Sequence, residues 1–175
     1  MVQIRKATLS DIHSITELIN SYARNGIMLP RTEFEMAENI RDFLVAMEDD
    51  RIAGCGALHF YTPYSGEIRS LAVAPGLKIK GIGRLLVEAL EAEAREHELV
   101  SIFAFTYVDG FFRKMGFDIV DRGELPLKAW KDCLRCPKFQ ACDEIAMVKQ
   151  LKSAAPPPPA FVQISDLEQI PIVRK

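Results

Sequence analysis

Nowhere does the 175-residue chain approach the roughly 20 consecutive apolar residues that a membrane-spanning helix requires, which excludes a helical span. Met1 to Lys6 leads into no long apolar stretch, so neither a signal peptide nor an anchor is expected there. An excess of either charge is lacking too. The 22 Lys and Arg against 24 Asp and Glu leave a net charge of −2, too little for a global field that recruits nucleic acid, so any anion site must be local. Internal repeats at solenoid periods are absent. The four cysteines come with no export signal. A reducing, cytoplasmic setting is therefore expected, with thiols or metal ligands rather than disulfides.

What is there suits one globular domain: 49% hydrophobic residues and a length at which a core forms without staples. The pattern predicts a strand over Val2 to Ala7 and a helix from Asp11 to about Ala23 capped by Ser10. Asn25-Gly26 to Pro30 breaks that helix, and Thr32 with Glu35 opens a second through a capping box. Strands follow at Phe43 to Glu48 and Ile52 to Tyr61 around an Asp49-Asp50 turn, then at Glu67 to Val73. A long amphipathic helix runs from Gly81 to about Glu98. Beyond it come a strand at Ser101 to Tyr107, a short helix at Gly110 to Met115, a strand at Phe117 to Asp121, a helix from Pro126 to about Leu134 and a closing strand at Asp143 to Lys149. This order is an α+β domain with a mixed sheet over residues 1–152, with a Cys-containing insertion at about 126–142. Residues 153–175 form a stiff Pro-rich spacer and a tail. The tail's apolar residues are candidates for docking on a second subunit, which leaves a homodimer open.

The segment Val73-Ala74-Pro75-Gly76-Leu77-Lys78-Ile79-Lys80-Gly81-Ile82-Gly83-Arg84 joins a strand end to a helix start through a basic, Gly-containing turn. The free N–H groups of a helix N-terminus carry partial positive charge and form a ready anion site. Gly81 and Gly83 let a ligand approach the backbone, while Lys78, Lys80 and Arg84 add charge for phosphates. A plain helix start is the alternative.

This segment resembles the acyl-CoA motif Q/R-x-x-G-x-G/A of the GNAT superfamily, with Lys78, Gly81 and Gly83 in its three fixed places and Ile79 where many members have Gly. Phe111-Phe112-Arg113-Lys114-Met115-Gly116-Phe117 is similar to a second signature of that family, F-Y-x-K-x-G-F. The resemblance covers Val2 to about Leu151. It implies a GNAT fold, with helices on both faces of the sheet and a splayed strand pair that receives acetyl-CoA. It implies that the backbone of Leu71, Ala72 and Val73 bonds the pantetheine as an added strand. The turn from Lys78 through Ile79, Lys80, Gly81, Ile82 and Gly83 to Arg84 then holds the pyrophosphate, with Phe112 beside the ligand. It also makes the Val73 N–H the donor to the acetyl oxygen. Many members use the Tyr of the second signature as general acid. Phe112 stands there and has no proton to give, so solvent or another group such as Tyr107 must serve.

Acetyl transfer to an amine needs a base, and Glu67, at the start of the strand that ends at Val73, is the candidate. A surface carboxylate at a strand end is the alternative. Three patches, Leu29-Pro30-Arg31, Gly54 to His59 and Glu67 to Val73, together resemble the acetyltransferase domain of bacterial N-acetylglutamate synthases, especially their short stand-alone form. That resemblance implies a free amino acid as acceptor, L-glutamate first, at the opening step of arginine biosynthesis. Arg31 and Arg69 are the candidate forks for its carboxylates. Another small amine, glutamine or a protein N-terminus are rival acceptors, and a non-catalytic acyl-CoA sensor is a rival of another class. Cys133, Cys136 and Cys142 have part of a zinc-site spacing but no second C-x-x-C, so a structural metal, free thiols and, under oxidation, pairing of Cys133 with Cys136 all stay open. The chemistry itself requires no metal. Cys55, between two glycines on a strand, is expected in the core.

Overall fold

A computed structural model describes residues 2–76, 80–125, 136 and 138–152. Seven strands form one sheet in the order β1-β2-β3-β4-β5-β7-β6. They are β1 (Gln3–Lys6), β2 (Phe43–Glu48), β3 (Arg51–Thr62), β4 (Ser65–Val73), β5 (Ser101–Thr106), β6 (Asp118–Ile119) and β7 (Ile145–Gln150). Every neighbouring pair is antiparallel except β4 with β5, so the sheet is mixed, as the element order predicts. The helices are α1 (Ile12–Ala23), α2 (Glu33–Asn39), α3 (Ile82–Glu96) and α4 (Asp109–Lys114). The predicted helix at 126–134, Lys78 and Ile79 of the basic turn, Cys133 and the spacer and tail at 153–175 lie outside the described residues.

The two sheet faces carry separate cores. Ile15 and Ile19 of α1 and Met36 of α2 pack on Phe43, Val45 and Cys55. On the opposite face Ile82, Leu86 and Leu90 of α3 and Phe112 of α4 pack on Leu44, Leu58 and Ile68. Helices therefore cover both faces. Alternation along β2, β3 and β4 sorts the side chains between these cores. Among the described residues no helix is long and apolar enough to cross a membrane.

Local chemistry sets the element ends. The Thr32 hydroxyl accepts the Glu35 N–H at 3.2 Å while the Glu35 carboxylate accepts the Thr32 N–H at 2.9 Å, the expected capping box. Asp49 and Asp50 both have positive φ (46° and 60°), as a two-residue hairpin between twisted strands demands. The Ser10 cap is a misreading. The turn Leu9–Asp11 precedes α1, and the Asp11 carboxylate accepts the Thr8 N–H at 2.7 Å. Arg5 locks that carboxylate with two bonds, of 2.7 and 2.9 Å.

Two features shape the sheet around β4. Its pairing with β5 ends at Glu67 opposite Phe103, although both strands run on, so they part beyond this point. Second, the two steps from Cys55 to Ala57 on β3 face three steps from Arg69 to Ala72 on β4. The extra residue is a bulge at Ser70, which has φ 53°. The bulge shifts the alternation by one. Leu71 and Val73 thereby join the α3 side and Ala72 the α1 side.

Candidate active site

A cleft of about 730 Å³ opens where β4 and β5 part, a size typical of small-molecule sites. Glu67 to Val73 form one wall and Phe105 to Val108 the other. The α1–α2 connection, with Leu29, Pro30 and Arg31, closes one side. Gly83 of α3 and Phe111 and Phe112 of α4 close another. Glu67, Arg69, Leu71, Ala72, Val73, Gly83, Phe112 and Arg31, singled out from the sequence, thus meet in one place.

Glu67 is only 1% exposed, so it is no surface carboxylate. It lies on the sheet face that carries α1 and α2, opposite His59 on β3 and Phe103 on β5. Arg69 shares that face, as alternation predicts. Its guanidinium donates to Asn39 Oδ1 at 3.3 Å and lies 3.9 Å from Asp42 Oδ2. Asp42 in turn is bonded to His59 Nδ1 at 2.6 Å. Arg31 is mounted by Asn20 of α1. The Asn20 side chain accepts the Arg31 N–H and donates to the Arg31 carbonyl, both at 2.9 Å.

The end of β4 presents backbone to the cleft. The Ala74 N–H donates to Ala53 O at 2.8 Å. In an antiparallel ladder that bond makes Gly54 and Val73 a non-hydrogen-bonded pair, so the N–H and C=O of Val73 point away from β3. The carbonyl is met by the Tyr22 hydroxyl at 2.5 Å. Tyr22 has no counterpart in the motifs read from the sequence. Only its place on α1, after the apolar residues Ile15 and Ile19, hinted that it faces the sheet.

At the head of α3, Gly81 is the N-cap with φ 93°, which favours glycine. The first helical bond runs from the Leu85 N–H to the Gly81 carbonyl. The N–H groups of Ile82, Gly83 and Arg84 therefore have no acceptor within the helix, and no described side chain caps them. A Cβ on Gly83 would make ordinary contacts of 3.6–3.7 Å with Phe111 and Val73, so packing within the chain does not require glycine there. This uncapped terminus fits a pyrophosphate. Lys80 is exposed beside it. The Arg84 side chain turns instead to Glu88, at 2.7 Å.

Gly54 and Gly56 face α3, where a Cβ would come within 3.1 Å of Leu86 and Leu90 respectively, so they let the helix dock instead of lining the cleft. Cys55 is core, its thiol pushed up to about 12 by burial. Tyr107 lines the cleft, but its hydroxyl donates to Asp143 at 2.9 Å and accepts from Lys138 at 3.1 Å. Burial first, and then Asp143 as acceptor, push it up, against the opposing bond from Lys138. Phe112 is buried edge-on against Phe111 and Phe117. Cys136 and Cys142 both line the cleft as free thiols. Among the described residues no three His, Cys, Asp or Glu are grouped to hold a metal ion. Arg122 also lines the cleft, and no motif pointed to it.

The sequence matches the acetyltransferase (GNAT) family over residues 9–117. It is 47% identical over 148 residues to an uncharacterized N-acetyltransferase of Chlorobaculum tepidum, covering 85% of this chain and 96% of that one. It is 35% identical over 121 residues to an amino-acid acetyltransferase of Mycobacterium tuberculosis, covering 67% of this chain and 69% of the relative. The fold superposes with a TM-score of 0.78 and 28% identity on N-acetylglutamate synthase from Neisseria gonorrhoeae complexed with coenzyme A and N-acetyl-glutamate. That match covers 87% of this chain but 35% of the gonococcal one. The parted strands, the uncapped α3 terminus and the sequence match lead to one conclusion: the chain belongs to the GNAT acetyltransferase family, and acetyl-CoA is its acyl donor.

Proposed function

We propose that this acetyltransferase acetylates the α-amine of a free amino acid, L-glutamate before others, the reaction that opens arginine biosynthesis. The observation that carries the reading is Glu67, a buried carboxylate on the floor of the cleft, flanked by Arg31 and Arg69. The name of the mycobacterial relative supports an amino-acid acceptor, and that of the gonococcal one supports glutamate.

Acetyl-CoA supplies the acetyl thioester. Glu67 takes a proton from the acceptor amine, directly or through one water, which frees the lone pair for attack. The Val73 N–H, turned to the cleft, donates to the carbonyl oxygen as it gains charge. The C–N bond forms, the nitrogen sheds its second proton to solvent, the C–S bond breaks and CoA leaves as thiolate. Phe112 has no proton to give, so the thiolate takes its proton from solvent. Arg31, with its backbone fixed by Asn20, receives an acceptor carboxylate, and Arg69 contributes from the same side.

A screen of the 20 free amino acids, read as CoA release, tests this. Glutamate as the best acceptor is the expected result. Turnover with none of them while acetyl-CoA still binds would overturn the reading.

A further inference from the structure

The two arginines assigned to the acceptor stand on one side of the cleft. Arg31 and Arg69 come from the α1–α2 connection and β4. A free amino acid with an acidic side chain has two carboxylates, about one side-chain length apart. The α-carboxylate and the side-chain carboxylate then need separate anchors.

The opposite wall holds Arg122, in the turn Arg122–Glu124 after β6. Its backbone is mounted rigidly. The Asp121 side chain accepts the Gly123 N–H at 2.7 Å, and the Glu124 carboxylate accepts the Asp121 N–H at 3.1 Å. Its guanidinium is held as well. Nη2 donates to the carbonyls of Glu144 and Cys142, at the entry to β7, and the group sits 5.8 Å from the Phe105 ring centroid. Both carbonyl bonds use the same nitrogen. The Nε and Nη1 donors make no bond among the described residues, and no described carboxylate pairs with this arginine.

Placement relative to Glu67 follows from the sheet. Glu67 is opposite Phe103, and Phe105 lies two residues further, about 6–7 Å along the strand on the same face. Arg122 therefore stands beyond Glu67 on the β5 side, while Arg31 stands on the α1 side. Among the described residues, the other cation of this wall is already paired. Lys138 is matched by Asp143 at 3.3 Å, and the Glu144 carboxylate takes the Cys142 thiol at 3.8 Å. Among the described residues, that leaves Arg122 as the cation of this wall with an open fork.

Resting on the amino-acid reading above, we infer that Arg122 binds the side-chain carboxylate of the acceptor and sets the preference for acidic over amide side chains. A guanidinium held in place by carbonyls and a ring loses little freedom when it takes a bidentate partner. Removing it leaves the ligand carboxylate without its charged donor, whereas an amide side chain loses far less.

The test compares kcat/KM for glutamate and glutamine in the wild type, Arg122→Gln and Arg122→Lys. The wild type is expected to favour glutamate. Arg122→Gln should lower the glutamate-to-glutamine ratio by about 10–100-fold, the loss of a charge-assisted pair. Arg122→Lys should restore part of it, because charge returns without the fork. A purely structural role in pinning β7 would lower both activities together and leave the ratio in place, which overturns the inference. So does a wild type that favours glutamine or a basic amino acid, with the acetyltransferase reading intact. A wild type that acetylates no free amino acid rejects the reading on which this one rests, a distinct result.

Discussion

The hydroxyl of Tyr22, near the end of α1, donates to the carbonyl of Val73, the last residue of β4, across 51 positions of sequence. The same peptide unit gives its Ala74 N–H to Ala53. The Val73–Ala74 plane is thus held at both ends, and the Val73 N–H faces the cleft in a fixed direction. Tyr22→Phe keeps the ring and removes the donor. It should cost about 0.5–1.5 kcal/mol, the usual net value of one such bond. At this chain length about 1 kcal/mol moves Tm by roughly 2–4 °C. The KM for acetyl-CoA should rise along with this loss, since the strand end borders its path. A variant with wild-type Tm and KM would show that the bond does nothing for either.

Gly81 caps α3 at φ 93°, a conformation that costs other residues about 1–2 kcal/mol. Nothing lies within 4 Å of a Cβ built there, so the penalty of Gly81→Ala is backbone strain and not a clash. Acetyl-CoA at 100 times its Kd should stabilise the wild type by about 2.7 kcal/mol through mass action. In Gly81→Ala the ligand-free protein should melt lower, and the acetyl-CoA-induced shift should shrink because the three free N–H groups are re-aimed. Melting curves with and without the ligand measure both. A lowered Tm with an undiminished ligand shift would separate the strain from the anion site.

The basic turn and the helix behind it were legible because their chemistry is local: glycines, lysines and an amphipathic run in one stretch. Glu67 and Arg69 were legible as strand neighbours for the same reason. The committed state of Arg69 was not, because Asn39 and Asp42 reach it from about 30 residues away in sequence. The same holds for Tyr22 and Arg122, which enter the cleft only through tertiary packing. The bulge at Ser70 escaped notice because alternation read from the sequence assumes an uninterrupted strand.

Acid stability should depend on Asp11. Hydrogen bonds from Arg5, helped by those from Thr8, hold its carboxyl well below the usual carboxylate range. The folded state therefore favours the charged form. Its stabilisation is complete above the unfolded value near 3.9 and is lost as pH falls from there through the lower folded value. Asp11→Asn should lower stability at pH 7 by about 1–3 kcal/mol, the scale of a charged hydrogen-bonded pair. The gap to wild type should narrow below about pH 4. Urea unfolding across pH 2–7 checks the sign, and a gap that widens in acid would contradict it.

The cysteines should separate by reactivity. The thiolate is the nucleophile, and burial pushes Cys55 up to about 12, so a haloacetamide at pH 8 should leave it unlabelled in the folded protein. Cys136 and Cys142, half-buried in the cleft, should be labelled first. Prior addition of the acceptor should slow that labelling if it occupies the end of the cleft near Arg122. Peptide mass mapping after timed labelling reads all three positions, and labelling of Cys55 at the rate of the other two would contradict the packed core beneath α1.

Glu67→Gln keeps the shape of the side chain and removes its basicity. A positioned base is worth about 10²–10⁴-fold, so kcat should fall by that factor while Tm and acetyl-CoA binding change little. The remaining activity should rise with pH, because the amine then arrives deprotonated without help from the enzyme. The wild type should be flatter over the same range. Initial rates from pH 6 to 10 at saturating acetyl-CoA distinguish the two curves. A variant whose kcat and pH profile match the wild type would remove Glu67 from the chemistry and leave it as a buried carboxylate of the sheet.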